Sequence, residues 1–435
     1  MAEEKKEKKP KQKKSIKKVL KKETTEKKVN VEPKKEEIKK EEPKVVEKKK
    51  KKTDYKTKDA IIIMVLSIII GIGIGSVVTR LLCDKKHPKE LKEYDEAYID
   101  IVDNYYGIFN KKDLVYSSIN GLLNGLNDRY AYLNTDQNAI LNYEEGIEGY
   151  FNGLGVMISI NAEGNIEISA VYEDSPAQKS GVLVGDVIST MEGKKYASYN
   201  YGDFSYNIKS SKVGTKLDFE LLRNGETVEV TIETDKIELD SVYYSLVNKD
   251  DKKIAVFAIN NFANNTYDQF IEKYEEAKKE NIDGIIIDVR YNGEGTLDNA
   301  AKLASLFLDK DAVIYQKARQ KENEKVINKN DKVIDLPVVI IADGSTISTA
   351  ELFASALVEN ISAKLVGTNT FGKGYMQKVL KLSNGKYIQF TTEEWLTSRG
   401  NKVEGIGLYP NYEAKCDNEC DIDVAYEKAL EVIFN

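Results

Sequence analysis

The sequence contains only one histidine and three cysteines in 435 residues, and these shortages exclude several kinds of catalytic site. A Ser–His–Asp triad needs a histidine base beside its nucleophile, and a zinc peptidase needs the two histidines of HExxH. The single His87 lies a few residues after a long apolar segment, far from any predicted core. No G-x-x-x-x-G-K-[ST] phosphate loop occurs. A hydrolase built from this sequence must therefore use Lys, Asp or Glu as its base, and we expect no cofactor.

The cysteines do not form a metal site by themselves. Cys416 and Cys420 lie close together, but a structural zinc site needs further Cys or His ligands that the sequence lacks. We therefore expect no metal. The spacing leaves open whether an oxidising exterior would join these two cysteines in a disulfide.

Charge is distributed unevenly along the chain. Residues 1–59 hold 25 lysines and 13 acidic residues, a net charge of +12, so the remainder carries −18 of the total of −6. This segment has too few apolar residues to form a core, which predicts a disordered tail. Its lysine runs could bind nucleic acid or form a solvated tail on the cytoplasmic side of a membrane. The apolar segment that follows favours the membrane interpretation, so we expect no nucleic-acid partner.

An apolar run predicts a membrane anchor. Residues 60–78 contain no charge, and about 20 apolar residues span a bilayer. We assign a transmembrane helix to residues 60–82, with the lysine-rich side cytoplasmic and the rest of the chain outside the cytoplasm. Small residues in the span would let two such helices pack, which leaves a homodimer open; they are Gly71, Gly73, Gly75 and Ser76.

Four regions follow the span. Residues 88–148 have a helical apolar period, and residues 149–239 have short alternating strands with turns such as Asn224–Gly225. Residues 240–415 alternate buried strands with amphipathic helices, which predicts an α/β core, and residues 416–435 end in a helix. The fold class is therefore α+β, with a membrane anchor, a helical cap, a small β-rich domain and an α/β core.

The stretch ADGSTISTAELFASAL places Ser348 where a buried strand gives way to a helix. Free N–H groups of the first helical turn and the helix dipole favour a developing oxyanion there. The same residues also form an S-x-x-E capping box with Glu351, which is a purely structural interpretation. Farther on, Lys373 stands between two glycines before apolar residues. Burial would lower its pKa and let the neutral amine accept a proton from serine.

Six motifs in order resemble the carboxyl-terminal processing peptidases, also called tail-specific proteases, over residues 90–430. GLLNGLNDRYAYL is similar to GMLxSLDPHSxYL, DVRYNGEGTL to DLRxNxGGxL, and GSTISTAEL to GSASASEI. GTNTFGKGYMQ is similar to GxxTFGKGxxQ, and VEGIGLYPN to IEGxGIxPD. GLGV followed by SPAQKSGVLVGDVI resembles a PDZ signature. The resemblance implies a PDZ domain at 149–239 and a serine peptidase core at 240–415.

The resemblance also implies a role for each matching residue. Ser348 matches the nucleophile, Lys373 the base and Gln377 the residue that orients the base. Thr349 and Gly295 match the donors of the oxyanion hole, and Glu351 and Thr370 match supporting positions. In the PDZ segment, Gly153, Leu154, Gly155 and Val156 would aim N–H groups at the C-terminal carboxylate of a protein or peptide substrate, which would add as a strand.

Some positions depart from the family motifs. Glu294 replaces the first glycine of a pair and puts a carboxylate beside the expected oxyanion hole, and LDPHS has become LNDRY. The alternative interpretation is therefore a catalytically inactive PDZ scaffold that binds C-terminal peptides. The nearby Asp288 and Arg290 are expected to form a structural ion pair at a strand end.

Overall fold

A computed structural model of the chain describes residues 62, 64–71, 90–319, 321–383, 385–416 and 421–435. It divides into two units, Met1–Tyr105 and Tyr106–Asn435. The predicted tail and most of the predicted span lie outside the described residues, as do Cys83 and Cys420. Ile62 and Met64–Gly71 are helical. Among the described residues, no helix has both the length and the apolar character needed to cross a membrane.

The helices of the described residues are α1 (Glu90–Asn104), α2 (Lys111–Asn124), α3 (Gln137–Glu148), α4 (Pro176–Lys179), α5 (Tyr201–Lys209), α6 (Thr266–Lys279), α7 (Leu297–Ala304), α8 (Thr349–Ile361) and α9 (Val424–Val432). The strands are β1 (Tyr132–Asn134), β2 (Tyr150–Gly153), β3 (Val156–Ile160), β4 (Ile166–Val171), β5 (Val187–Met191), β6 (Lys194–Lys195), β7 (Lys216–Arg223), β8 (Glu226–Glu233), β9 (Asp235–Glu238), β10 (Val242–Lys249), β11 (Lys252–Ile259), β12 (Gly284–Asp288), β13 (Val313–Lys317), β14 (Glu324–Ile327), β15 (Val338–Ala342), β16 (Lys364–Gly367), β17 (Tyr375–Lys381), β18 (Tyr387–Leu396) and β19 (Tyr412–Glu413).

The β-rich domain forms one antiparallel sheet in the order β3-β4-β5-β7-β8, with β6 paired to β5. Two hairpins form, β3 with β4 and β7 with β8, and the second confirms the predicted turn at Asn224–Gly225. The second turns at Asn224 and Gly225, whose φ angles of 51° and 86° suit a tight hairpin. Strand β3 ends the sheet, so one of its edges has no neighbouring strand within this sheet. Strand β2 at the start of the domain pairs with β9 at its end, and the two form an antiparallel ribbon.

The α/β core is built on a six-stranded sheet in the order β10-β11-β12-β15-β16-β19. Its strands run parallel from β11 to β19, as their continuous apolar sequences predict, and only β10 is antiparallel. One face packs against α6, α7 and α8, with side chains such as Phe257, Phe270 and Phe353 fully buried. The C-terminal helix α9 covers the other face. The sheet is therefore buried on both sides, and its strand ends carry the site.

A second sheet joins the region predicted to be helical to the core. Strand β18 pairs with β17, β13 and the short β1. Within residues 88–148, which the sequence predicts to be a helical region, the structure has the short strand β1 between α2 and α3. Its partner β18 is more than 250 residues away in the chain, and such a partner leaves no local periodicity in the sequence.

Candidate active site

Ser348 lies in a strained turn between the buried strand β15 and helix α8. Its backbone has φ 54° and ψ −101°, a region that residues other than glycine rarely adopt. Hydrogen bonds to a neighbouring segment fix the turn. The Ile347 N–H donates to the Asn292 carbonyl at 2.8 Å, and the Thr346 hydroxyl donates to the Val289 carbonyl at 3.0 Å. Strain of this kind persists where the surroundings fix the backbone, and it is common at functional sites.

The buried carboxylate of Glu351 joins the Ser348 turn to the Lys373 turn. It accepts the Ser348 N–H at 2.8 Å, which forms the glutamate half of the predicted capping box. It also accepts the N–H groups of Gly372 at 2.7 Å and Lys373 at 2.9 Å, and the Thr370 hydroxyl at 2.5 Å. Four donors therefore satisfy a carboxylate that is 0 % exposed, as burial of a charge requires.

A single cavity of about 740 Å³ brings all five predicted catalytic residues together. Its wall includes Ser348, Thr349, Gly295, Lys373 and Gln377, which come from three separate segments of the sequence. Other lining residues come from α3 and the second sheet, among them Tyr132, Tyr143, Gly146, Met376 and Gln389. The structure thus places the sequence-predicted residues on one surface large enough for a peptide side chain.

Lys373 is half-buried in this cavity. Desolvation lowers the pKa of its ammonium, and the charges of Glu404 and Glu351 partly oppose that effect. Its Nζ lies 5.5 Å from the ring centre of Tyr130, and among the described residues it forms no ion pair or hydrogen bond. Ser348 Oγ is likewise without a hydrogen bond to Lys373 here. Contacts of this kind are often longer in an unliganded enzyme than in its complex.

Two backbone N–H groups beside Ser348 are unused within the described residues. Thr349 begins α8, so its N–H has no partner inside the helix, and the Gly295 N–H also donates to no acceptor there. Both residues line the cavity. Gly295 is the residue type that fits, because its φ is 99° and an added Cβ would lie 2.2 Å from the Phe262 carbonyl oxygen. The pair has the chemistry of an oxyanion hole.

Gln377 lies in the same cavity without the predicted contact to the base. Its side-chain amide donates to the Tyr375 carbonyl at 3.0 Å, and among the described residues it makes no hydrogen bond to Lys373. The orienting role assigned to Gln377 therefore stays a prediction.

Sequence reasoning missed a charged group behind Lys373. Glu404 accepts the Gly374 N–H at 2.9 Å, and its carboxylate pairs with Arg129 at 2.5 Å. The Tyr130 hydroxyl donates to the same carboxylate at 3.2 Å. Both Arg129 and Tyr130 occur where the sequence departs from LDPHS, so the departure itself was the available signal. The ion pair between Asp288 and Arg290, at 2.6 Å, is confirmed as structural, and Arg290 also pairs with Asp423 at the start of α9.

The predicted carboxylate loop lies in the β-rich domain, apart from the cavity. Gly153 ends β2 and Val156 begins the edge strand β3. Between them, the N–H groups of Leu154 and Gly155 find no acceptor among the described residues. Their carbonyls are engaged, since Leu154 O accepts from Ala177 N at 2.9 Å and Gly155 O from Tyr172 N at 3.0 Å. Free donors beside an open strand edge fit a peptide carboxylate.

Helix α3 is shared by the cavity and the β-rich domain. Lys209 of α5 pairs with Glu145 at 2.6 Å and donates to Asn142 at 3.0 Å. Asn142 itself lines the cavity, together with Tyr143 and Gly146 of the same helix. The same helix therefore contacts both α5 of the β-rich domain and the cavity.

Comparisons with known proteins find matches for both the β-rich domain and the α/β core. The model of peptidase family S41 matches residues 253–414, and the PDZ domain model matches residues 153–234. A probable CtpA-like serine protease of Staphylococcus haemolyticus (strain JCSC1435) is 30% identical over 344 residues, which cover 78% of this chain and 67% of that protein. A protein of the same description from Staphylococcus saprophyticus is 29% identical over 370 residues, covering 82% and 73%.

Among solved structures, the photosystem II D1 C-terminal processing protease matches with a TM-score of 0.46 and 20% identity. The match covers 79% of this chain and 90% of that one.

Proposed function

This chain belongs to peptidase family S41 and is a serine peptidase with a PDZ domain, and from that premise we propose a Ser–Lys mechanism in which Ser348 is the nucleophile and Lys373 the base. The neutral Lys373 amine takes the Ser348 proton as Oγ bonds to the substrate carbonyl carbon. The N–H groups of Gly295 and Thr349 stabilise the oxyanion. The C–N bond then breaks, the amine leaves with the proton from Lys373, and water hydrolyses the acyl-enzyme.

The observation that carries this proposal is the combination of residues on the cavity wall. Ser348, the desolvated Lys373 and two N–H groups that have no acceptor among the described residues lie on one wall. Lys373 needs a lowered pKa because only its neutral form accepts a proton. The buried Glu351 binds both turns through their backbone N–H groups. The side chains of Ser348 and Lys373 therefore remain available for the reaction.

The test of the mechanism is covalent labelling. A fluorophosphonate probe should label Ser348 in the parent, with the adduct located by peptide mass spectrometry. Ser348→Ala should abolish the label and Lys373→Met should slow it strongly, while an exposed serine change such as Ser159→Ala should leave it unaltered. A parent that is folded but never labelled, and that cleaves no peptide, would favour the inactive PDZ scaffold.

We further propose that the PDZ domain recognises the C-terminal tails of protein substrates. The unused N–H groups of Leu154 and Gly155 and the open edge of β3 support this. Tail capture makes the second encounter intramolecular, so it should favour tailed proteins over short peptides. A substitution at Gly155 would disturb folding as well as peptide binding, because its φ is 74° and a Cβ would lie 2.3 Å from Ser175 Cβ.

The tail proposal is therefore tested on the substrate. One protein substrate is prepared with a free C-terminal carboxylate and with an amidated C-terminus, and a short peptide with the same cleavage site serves as control. The free tail should be cleaved several-fold faster than the amidated tail. Equal rates would refute tail recognition. If an added tail peptide accelerates cleavage of the short peptide, the PDZ domain also controls the active site, and α3 is the element that contacts both.

We also propose that residues 60–82 anchor the chain as a single span with residues 1–59 cytoplasmic. The supporting observations are the uncharged segment 60–78 and the positive tail that precedes it. Protease added to intact cells should then digest the peptidase core, and lysis should be needed to digest the tail. The reverse pattern would invert the topology. A homodimer through the span stays a prediction.

A further inference from the structure

Glu294 stands in the cavity wall beside the proposed oxyanion hole. Its backbone is fixed, because its carbonyl accepts the Phe262 N–H at 3.1 Å and the Thr349 hydroxyl at 3.0 Å. The next residue, Gly295, carries one of the two unused N–H groups. A substrate carbonyl held there would bring the side chains next to the scissile bond within reach of the Glu294 side chain.

The carboxylate of Glu294 is exposed at the cavity wall. Among the described residues it makes no hydrogen bond and no ion pair, and it lines the cavity. Glu404 and Glu351 are the carboxylates whose charges act on Lys373. Glu294 is not one of them, so its carboxylate remains available to bind a ligand.

Helix α3 leaves room for this carboxylate. Gly146 is buried inside the helix, where glycine lowers helix stability relative to alanine. The space that a Cβ would fill at Gly146 has only the Glu294 carboxyl group within 4 Å, with Oε2 at 3.0 Å. The lack of a side chain at Gly146 therefore allows the Glu294 carboxylate to lie against the helix at the cavity wall.

The charges of the cavity favour a cation when the base is neutral. The charged lining residues are Glu294, Asp298, Lys317 and Lys373. With Lys373 neutral, as the mechanism requires, two carboxylates face one ammonium group. A basic side chain of the substrate would be attracted and an acidic one repelled.

We propose that Glu294 is a specificity-determining residue that selects substrates with a lysine or arginine next to the scissile bond. The inference rests on the proposed function, since it assumes that the cavity holds the cleaved bond. An ammonium or guanidinium would form a charge-assisted hydrogen bond with the carboxylate. Because the site is partly open to water, we expect a preference of roughly five- to tenfold over a neutral side chain of equal length.

The experiment uses the full-length chain in detergent and fluorogenic peptides that differ at one position. Lysine, norleucine or glutamate is placed in turn at each of the three positions on either side of the cleaved bond. The readout is the ratio of kcat/KM for lysine over norleucine, measured for the parent, Glu294→Gln and the matched control Asp298→Asn, which removes another carboxylate of the same cavity. The parent should show the preference at one position, Glu294→Gln should lose it, and Asp298→Asn should keep most of it. The preference should also weaken as salt rises.

Other outcomes overturn the inference in distinguishable ways. A parent that cleaves peptides and is labelled at Ser348, but shows no lysine preference, overturns the role of Glu294 alone. The same holds if Glu294→Gln keeps the parental ratio, or if only Asp298→Asn loses it. A parent that neither cleaves any peptide nor reacts with the fluorophosphonate overturns the proposed function and this inference with it.

Discussion

Replacing Glu351 with glutamine should separate the Ser348 turn from the Lys373 turn. The side chain keeps its shape, but one carboxylate oxygen becomes an NH2 group. Oε1 accepts from Thr370 Oγ1 and Gly372 N, and Oε2 accepts from Ser348 N and Lys373 N. With NH2 at the Oε2 position, the N–H groups of Ser348 and Lys373 lose their acceptor. With NH2 at the Oε1 position, the Gly372 N–H loses its acceptor, whereas the Thr370 hydroxyl can turn and accept from the amide. One or two hydrogen bonds are therefore lost in a buried place.

The expected cost follows from that count. A hydrogen bond to a charged group contributes about 1.5–3 kcal/mol, so one or two losses amount to about 1.5–6 kcal/mol. Whole proteins are stable by only about 5–15 kcal/mol. Glu351→Gln should therefore lower the stability of the core markedly. In the fraction that stays folded, a shift of about 1 Å between nucleophile and base would lower kcat by about a hundredfold.

The single tryptophan makes this loss measurable. Trp395 is fully buried, and its indole N–H donates to the Lys373 carbonyl at 3.1 Å. Its fluorescence therefore reports the segment that Glu351 holds. Urea unfolding of parent and variant, followed at this residue, gives the change in midpoint at a common slope.

The matched control is Glu359→Gln, the same change on the same helix. The Glu359 carboxylate accepts the Ser398 hydroxyl, the Arg399 N–H at 2.8 Å and the Asn401 amide at 3.1 Å. It is only partly buried, so water can replace lost bonds and the cost should stay below about 1.5 kcal/mol. Equal losses in both variants, or a loss below about 1 kcal/mol for Glu351→Gln, would refute the reasoning.

Four shorter predictions concern the base and the oxyanion hole. Lys373→Met and Lys373→Arg should both abolish turnover, because arginine keeps the charge but cannot act as a neutral base; parental kcat in either folded variant would discard the mechanism. Since burial lowers the pKa of Lys373 below its ordinary value of 10.5, kcat/KM of the parent should rise from about pH 6 towards about pH 9 as the amine loses its proton. Arg129→Gln should move that rising limb to higher pH, because Glu404, which raises the pKa of Lys373, loses its cationic partner; an unmoved limb in the pH profile would contradict this. Gly295→Ala should lower kcat by about 100- to 1000-fold, because its Cβ would force the backbone away from the Phe262 carbonyl; unchanged turnover of the folded variant would exclude Gly295 as a donor.

The sequence by itself determined the local elements and the candidate chemistry. The hairpin at Asn224–Gly225, the amphipathic α6, the apolar strands of the core and the junction at Ser348 all have signals within a few residues. The lack of histidine in the core directed attention to Lys373, and the order of the motifs related the separate candidates to one another. These features are readable because propensity, periodicity and turn chemistry act over short stretches of chain.

Only the tertiary structure decided what surrounds those candidates. The pairing of β1 with β18, the four donors that meet Glu351 and the pairing of Glu404 with Arg129 each join segments that are distant in sequence. The lowered pKa of Lys373 depends on burial, which no spacing of residues reveals. The place that Gly146 leaves for the Glu294 carboxylate is likewise a matter of a few ångströms between a helix and a loop. Desolvation and close approach arise from the packed chain as a whole, so the sequence could name the reacting groups but not their environment.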